Sequence, residues 1–549
     1  MTPPMVLPKD PRADEAIRRW DELKGARSHH EQDWEELARL IRPQRAEFVS
    51  ARPGQSRTDE KPLSSAPIVA AANFHSGLYG TLINPADRWM GLRVADPELA
   101  QVQAVREWQD KVADRILQSF APGTSTFYDQ SVSLLADLTV FGNGAQYDEV
   151  RTAERRILDV TLSLAEVCYE IDGFGRVVEV VRRFEIGARQ AVDMFGAPML
   201  PPKLIEMAEK GSTDKLSFWH HVKPNRDWRK GALGPRGKRW VAIYVCEHDR
   251  AVVRESGYHE MPFYAPRWEV DTGQTYGRGP AMTALADARK VNLMEAANLR
   301  AGQKAGDPTL LAPDKDAWPL NGVVRPGEVV YGGVDLQGRP LIRPLDNWSG
   351  TGLTLEMQQA AIEHIRDAFH WSLMNLAGRT GMTATEIIER QEEKLRLMAP
   401  HMGRVQSEFL APKIARRFHL LWRAGQLPPP PPELAREDVE LNVEYLSAAA
   451  MAQKSAKGAS VVRLLQTVTP LAEIKPEVMD RISGDDALEV LAEAFGTPAR
   501  VLRSREDAAA IAEARAAQQQ AMMALQAGQA AGGIAKDVAQ AQAAGGAGG

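Results

Sequence analysis

Four places in the chain hold residue types that could do chemistry. His29-His30 and His220-His221 pair imidazoles that could ligate a metal, Gly237-Lys238 could open a phosphate cradle, and Cys168 and Cys246 could ligate or oxidise. Each reading meets a physical objection. A metal site needs several convergent ligands, and no second pair accompanies His29-His30. His220-His221 lie in a strand-like run, where neighbouring side chains point to opposite faces and cannot hold one ion together. A phosphate cradle needs an earlier glycine and a Ser or Thr after its lysine, but Ala232 stands at the glycine position and Arg239 follows Lys238. Each cysteine sits in an apolar strand-like run, which reads as two buried reduced thiols and not a disulfide. No G-x-S-x-G, H-E-x-x-H, EF-hand, C-x-x-C, helix-turn-helix or zinc-finger spacing is present. Glu392-Glu393 read as a solvated helix face. The chain is expected to be no enzyme and to need no cofactor or metal.

The totals narrow the field further. At 549 residues, a prior of about 150 residues per domain allows three or four. Hydrophobic content of 44% and charged content of 25% are those of a globular protein with ample core. Net charge is −5 and pI about 6.2, so no basic bias announces a tight nucleic-acid binder. The N-terminus, MTPPMVLPKD, lacks an apolar signal core. No run approaches the roughly 18 apolar residues of a membrane span.

The elements are organised around the stretch from Tyr276 to Glu386. A long helix starts at Gly277-Arg278-Gly279-Pro280 and runs to Gly306-Asp307-Pro308. Met282, Leu285, Leu293, Met294, Ala297 and Ala301 give it apolar surface on more than one side, which predicts neighbours on both. A Pro/Gly-rich excursion follows, about 310–349, with short strands expected around 327–331 and 339–343. A second helix is predicted from about 353 to 373, then a glycine-containing loop, then the capping box Thr383-Ala384-Thr385-Glu386.

Upstream, the run 12–41 is helical, its apolar stripe (Trp20, Leu23, then Trp34, Leu37, Ile41) broken at Arg27 and His30 beside Gly25. A loop spans 43–65. Helices are predicted at 68–82, 98–120 and 125–140, with a strand at 89–94. Residues 142–270 read as mainly β, with small helices at 188–195 and 201–210 and a hairpin turn at Asp172-Gly173-Phe174-Gly175. Downstream, a helix is expected to halt at Pro400 and another to reach Ala424. Pro428 to Pro432 reads as a stiff extended connector. A strand at 439–445 precedes helices at 448–469, 475–482, 486–495 and 498–520, and an Ala/Gln/Gly-rich tail with no fixed structure is expected from about 516. The fold class is α+β, mostly helical.

The order of these features resembles the portal proteins, or head-to-tail connectors, of short-tailed bacteriophages. Ser76-Gly77-Leu78 with Asn84-Pro85 and Trp89 is similar to the family's early helix-to-strand segment. Asp172-Gly173 through Val181-Arg182-Arg183 and Phe195-Gly196 resemble its β-rich wing. Phe263, Arg267-Trp268 and Tyr276-Gly277-Arg278-Gly279-Pro280 resemble the start of its stem, and Ala305-Gly306-Asp307-Pro308 to Ala312-Pro313 the crossing to its clip. Thr383-Ala384-Thr385-Glu386-Ile387 resembles the helix after its tunnel loop. Asn442-Val443-Glu444-Tyr445-Leu446-Ser447 resembles the strand before its crown, although Ala448 stands where members commonly have proline. The resemblance spans roughly residues 12–515.

It implies a wing over 1–270, a stem helix at 271–309, a clip at 310–350, a second stem helix at 351–373 and a tunnel loop at 374–382. Return helices and a strand at 383–446, a helical crown at 447–515 and the tail at 516–549 complete the subunit. It also implies a homo-oligomeric ring, a dodecamer, at one capsid vertex, with double-stranded DNA passing along its axis. The implied partners are the large terminase, head-tail adaptor and tail proteins, and capsid and scaffolding proteins, with no membrane. The implied location is the virion, after assembly in the host cytoplasm. An acidic balance suits a conduit, through which DNA must slide, better than a tight binder, which needs Lys and Arg on the phosphates.

Within that frame, Arg379 and Asn375 in the loop, with Lys290, Arg300 and Lys304 on the stem, are candidates to meet DNA. Solvated or intersubunit salt-bridge roles stand beside that reading. Lys315, Trp318, Arg325 and Trp348 are candidate clip contacts for motor or adaptor, since aromatics and Arg make interface anchors; packing against a neighbouring clip is the other reading. The competing function is a helical scaffold or adaptor of a phage particle that forms no DNA-conducting ring.

Overall fold

Asp10 starts the first helix by accepting the Arg12 N–H at 2.9 Å, with Pro11 in the first turn, where a missing N–H costs nothing. This helix, α1 (Pro11–Ala26), and α2 (Ser28–Ile41) meet at a break on Arg27, where the stripe was read as broken. Arg27 is fully buried there: Nε is 2.9 Å from Glu31 Oε1, and the guanidinium lies over Trp34 and Tyr276. The computed structural model describes residues 10–45, 48, 62–86, 88–96, 98–99, 102–151, 154, 156–306, 310–311, 335–337, 339–340, 343–344, 351–374, 396–434, 441–445, 458–470, 482–494, 497, 501, 503 and 507–523. The chain divides into two units, residues 1–87 with 118–423 and residues 88–117 with 424–549.

After α3 (Ala66–Leu82), the chain supplies β1 (Met90–Val94) and most of α4 (Gln103–Phe120) to the second unit. It returns to the first with α5 (Phe127–Phe141). Strands β2 (Gln146–Arg151), β3 (Arg156–Thr161), β4 (Val167–Ile171) and β5 (Val177–Gly187) follow. Then come α6 (Ala188–Phe195), α7 (Pro202–Glu209) and strands β6 (Lys215–Pro224), β7 (Trp240–Cys246), β8 (Ala251–Tyr258) and β9 (Phe263–Tyr264). They build an antiparallel three-stranded sheet, β3-β2-β9, and an antiparallel five-stranded sheet, β4-β5-β6-β7-β8. At the end of the stretch read as mainly β, 268–270 contributes only an isolated bridge between Glu269 and Arg278.

The period-two alternation of the larger sheet sorts its side chains. Cys168, Val181, Trp219, Ile243 and Val245 face α1, where Ala13, Ala16 and Trp20 cover them. Phe184, Phe218, Tyr244, Cys246 and Val253 face the other way, under Phe195 and Leu200 and under Leu204 of α7. Both cysteines are buried and free, on opposite faces. Burial pushes the Cys168 thiol up to about 11, so it stays a neutral apolar filler.

The long helix α8 (Pro280–Gly306) leads to β10 (Leu310–Leu311), which pairs antiparallel with β11 (Arg343–Pro344). The pairing joins the two ends of the excursion. Of the strand read at 339–343, Pro340 is a bridge position and Arg343 opens β11, while 341–342 and 327–331 lie outside the described residues. α9 (Thr351–Ala368) ends before the expected limit. His370 turns to φ +48°, and α10 (Trp371–Met374) starts afresh. The apolar period runs through this break, which is why sequence missed it. Phe369 is fully buried and 6.0 Å from Phe74, and its burial holds the strained turn.

Pro400 does not halt the next helix. Residues 396–405 (α11) are helical throughout, and burial of Met398, Met402 and Val405 holds both sides of the proline. A π stretch, Gln406–Leu410, then widens the turn before α12 (Ala411–Arg423), with the Ala411 N–H donating to the Gln406 carbonyl. Pro412 has no N–H to offer the carbonyl four residues back, so the wider turn falls where an ordinary one would leave an acceptor unpaired.

In the second unit, β12 (Leu441–Tyr445) pairs antiparallel with β1, Met90 opposite Tyr445. Trp108 Nε1 donates to the Pro428 carbonyl at 3.0 Å, and the last of the five prolines opens a short 3-10 turn, Pro432–Leu434. Helices at 458–470 (α13), Gly484–Ala494 (α14) and 507–523 (α15) follow. The last corrects the boundary of the expected structureless tail. Its Ala/Gln-rich composition, read as low complexity, is also strongly helix-forming. Residues 471–480 and 524–549 lie outside the described residues. The class is α+β and mostly helical.

Candidate nucleic-acid interface

The long helix rises from a joint of small and polar residues. Gly142 ends α5 at φ +71°, and a Cβ there would lie 2.4 Å from the Arg278 carbonyl carbon, so only glycine fits. Asn143 holds Gly277 from both sides. Its Nδ2 donates to the Gly277 carbonyl at 2.9 Å, and its Oδ1 accepts the Gly277 N–H at 2.8 Å. Arg267 adds a second grip: Nη2 is 2.8 Å from Glu408 Oε1 in the π stretch and 2.8 Å from the Gly175 carbonyl at the β4–β5 turn. Arg267 thereby ties the hairpin to the π stretch, and Asn143 holds the segment that leads into α8.

From this root α8 and α9 run antiparallel. Asn298 Nδ2 donates to Gln358 Oε1 at 2.9 Å, Gln358 Nε2 donates to Glu295 Oε2 at 2.5 Å, and His364 Nδ1 is 3.7 Å from Asp287 Oδ2. Ala281, Ala284, Leu285, Ala288 and Val291 are the buried side of α8, packed among α2, α3, α5 and α9. Arg289 pairs with Glu36 of α2. The opposite side carries Lys290, Leu293, Ala297, Arg300 and Lys304. Their three- and four-residue steps put them on one stripe about 80° wide and about 21 Å long. Arg300 and Lys304 are exposed and Lys290 is half-buried; among the described residues none of the three has an ion-pair partner.

Sequence reasoning named these three cations one by one and missed the stripe, although their spacing contains it. Arg379, Asn375, Lys315, Trp318, Arg325 and Trp348 lie outside the described residues, as does the capping box at 383–386. The structure also strips bare an apolar set on the same pair. Leu293 is 69% exposed, Leu299 50%, Leu355 52% and Met357 43%.

Beneath the sheets sits a charged cluster that sequence reasoning did not single out. On α12, Lys413, Arg416 and Arg417 point inward. Lys413 Nζ is 2.6 Å from Asp159 Oδ1, and Arg417 Nη2 is 2.6 Å from Asp159 Oδ2. Arg416 Nε is 2.7 Å from Asp148 Oδ1, which also faces the Tyr264 hydroxyl at 3.0 Å from its other oxygen. Burial pushes the Asp159 carboxyl up, but Lys413 and Arg417 outweigh it and hold the group below its usual range. These charges brace α12 to β2 and β3 and reach no solvent. Their one outward mark in sequence is the basic triplet spacing 413, 416, 417 on a helix whose same face is apolar.

A β-rich base carrying a long antiparallel helix pair with an exposed cationic stripe defines a structural subunit, built to stand among neighbours. Among the described residues no three His, Cys, Asp or Glu side chains converge as a metal set, and no helix is long and apolar enough to cross a membrane. The family described as bacteriophage head to tail connecting protein matches residues 13–502, and the chain belongs to it. It is 28% identical to the portal protein of Salmonella phage epsilon15 over 544 residues, 96% of this chain and 95% of that one. It is also 28% identical to the probable portal protein of Bordetella phage BPP-1 over 518 residues, 92% of this chain and 91% of that one. A solved chain from the neck of a native gene transfer agent particle, computed with C12 symmetry, is 14% identical with a TM-score of 0.33, over 75% of this chain and 92% of that one.

Proposed function

We propose that the chain is the subunit of a portal ring at one capsid vertex, a conduit for double-stranded DNA in packaging and ejection. The observation that carries this is the two-sided character of the α8–α9 pair. The root of one side is buried in its own subunit, while Leu293 stays bare within the cationic stripe on the other, and Leu299, Leu355 and Met357 are exposed elsewhere on the pair. Bare leucines on a long helix are accounted for by identical neighbours that cover them, and transient phosphate contact accounts for the cations. The role is structural, not catalytic.

In this reading α8 and α9 are the stem, 310–350 the clip and 374–382 the tunnel loop. Residues 1–270 form the wing, with 383–446 returning to it, and 447–515 form the crown. The ring is a dodecamer. Large terminase and head-tail adaptor dock on the clip through Lys315, Trp318, Arg325 and Trp348, while capsid and scaffolding proteins meet the outer parts. Arg379 and Asn375 join Lys290, Arg300 and Lys304 along the channel. The protein assembles in the host cytoplasm and resides in the virion.

Mass measurement and negative-stain imaging of the purified chain test the ring: a particle with a central hole is expected, and a stable monomer or dimer would support a non-ring adaptor instead. Neutralising Arg379, Arg300 and Lys304 is expected to change the DNA packaged or retained per particle. Unchanged packaging and retention would remove the DNA-facing role from these residues.

A further inference from the structure

The stretch 225–239, between β6 and β7, fails as a phosphate-cradling loop by spacing, yet it is a built basic lobe. It carries Arg226, Arg229, Lys230, Arg236, Lys238 and Arg239 against one acid, Asp227, in a chain whose net charge is −5. Its shape is fixed by its own backbone. The Asn225 N–H donates to the Arg239 carbonyl at 2.8 Å, and the Arg229 N–H donates to the Arg236 carbonyl at 2.8 Å. Asn225 Nδ2 ties the two strands again, donating to the Lys238 carbonyl at 2.8 Å and the Pro235 carbonyl at 3.0 Å. The turn is so tight that a Cβ on Gly237 would sit 1.9 Å from the Ala232 carbonyl oxygen.

The cations on this lobe are not spent on the protein itself. Among the described residues none of the six stands in an ion pair, and all but the half-buried Lys238 are exposed. Only Arg239 has a fixed partner, the Trp228 ring, with the guanidinium carbon 5.1 Å from its centre. Like charges this dense repel one another, and an acidic chain has carboxylates to spare for relieving them. A rigid lobe that keeps its cations unpaired is poised to gain from an external polyanion.

We propose that the 225–239 lobe binds the phosphate backbone of double-stranded nucleic acid, at a site separate from the helix pair. The composition favours nucleic acid over an acidic protein surface. Protein interfaces are built on an apolar centre and are depleted in lysine. The lobe offers only Leu233, 96% exposed, and one edge of Trp228, whose face Arg239 already covers. Nucleic-acid interfaces are polar and strongly positive, and backbone contacts need no pocket and read no sequence. The six side chains also sit within fifteen residues between two strands, five of them exposed, so their charge is open to an anionic surface.

The probe is covalently closed circular duplex DNA, which has no end to thread, so its binding is read apart from passage through any channel. The full-length protein and an Arg229→Ala/Lys230→Ala/Arg236→Ala variant are compared by filter binding across a salt series. The three side chains are exposed and unpaired, so the variant is expected to fold and assemble as the parent does. Its affinity for the circle is expected to fall at least about tenfold at low salt. The slope of log affinity against log salt should become shallower by about 2 to 3, close to one unit for each lost phosphate contact. An Arg229→Lys/Arg236→Lys variant, which keeps the point charges, is expected to retain the parent slope. Unchanged circle binding and slope in the alanine variant would overturn the proposal. So would a variant that loses binding to poly-glutamate while keeping the circle, because the lobe would then serve an acidic polypeptide.

Discussion

His220 and His221, adjacent in sequence, end on opposite faces of the five-stranded sheet. His220 stacks on Tyr244 with ring centres 4.0 Å apart, inside the α6–α7 side. His221 turns to the α1 side, where its Nε2 is 2.6 Å from Glu179 Oε1. Arg19 of α1 grips the same Glu179 carboxylate from above, Nε at 2.9 Å from Oε2. One imidazole is a core filler and the other a tether between sheet and helix.

This difference predicts a pH dependence. Burial drives His220 well below its usual range, and the nearby Arg182 adds to the shift. The folded chain therefore leaves it neutral, while the unfolded chain takes up a proton below about pH 6.5. Stability is fully present above that pH and is lost as pH falls through it, at up to about 1.4 kcal/mol per pH unit. In His220→Phe the urea-unfolding free energy should lose that slope between about pH 6.5 and 5. An unaltered slope would show that His220 is protonated in the fold.

Glu179 behaves in the opposite range. Burial raises its carboxyl, but the hydrogen bonds from His221 and Arg19 outweigh that and hold it at about 2. Its contribution is present above the ordinary value near about 4.3 and is lost as pH falls toward the folded value. Glu179→Gln should flatten the acid limb of stability below about pH 4.5, read as unfolding midpoint against pH. A mutant limb as steep as the parent's would place the acid loss elsewhere.

The buried cations of α12 depend on their carboxylates. Asp159→Ala leaves Lys413 and Arg417 without the oxygens that lie 2.6 Å from each. Uncompensated buried charge costs about 3 to 5 kcal/mol. Urea denaturation should show a loss of that order, and a loss below about 1 kcal/mol would mean that water reaches the cluster and solvates it.

Arg267 joins segments that are far apart in sequence, through Glu408 and the Gly175 carbonyl, and also faces the Gln274 and Thr275 carbonyls of the loop before α8. Arg267→Ala is expected to cost about 3 kcal/mol and to speed hydrogen exchange at the Arg278 N–H, which donates to the Glu269 carbonyl at 2.7 Å. Exchange at Arg278 as slow as in the parent would show that Asn143 and Gly142 suffice to hold the helix.

The bare leucines predict an assembly defect without a folding defect. Leu293→Asp with Leu355→Asp should leave the unfolding free energy of the isolated subunit within about 0.5 kcal/mol, because both side chains are already exposed. Sedimentation should then show the ring lost or weakened. A ring of normal mass in the double variant would mean that other surfaces make the subunit contact.

What the sequence determined by itself is local. Period-two runs marked β5, β6 and β7; a proline in the first turn and a glycine at its end marked α8; and the order of these elements carried the family likeness. The opposite fates of His220 and His221 followed from strand geometry alone. What it could not determine depends on contacts between distant segments. Pro400 stays helical because buried methionines on both sides outweigh one missing hydrogen bond. His370 breaks a helix whose apolar period continues, because Phe369 must reach Phe74. Lys413, Arg416 and Arg417 look like a solvated basic face until Asp148 and Asp159, more than 250 positions away, are folded against them. Propensity and pattern act over a few residues, whereas burial and charge pairing are settled only when the whole chain closes on itself, and there tertiary structure decides.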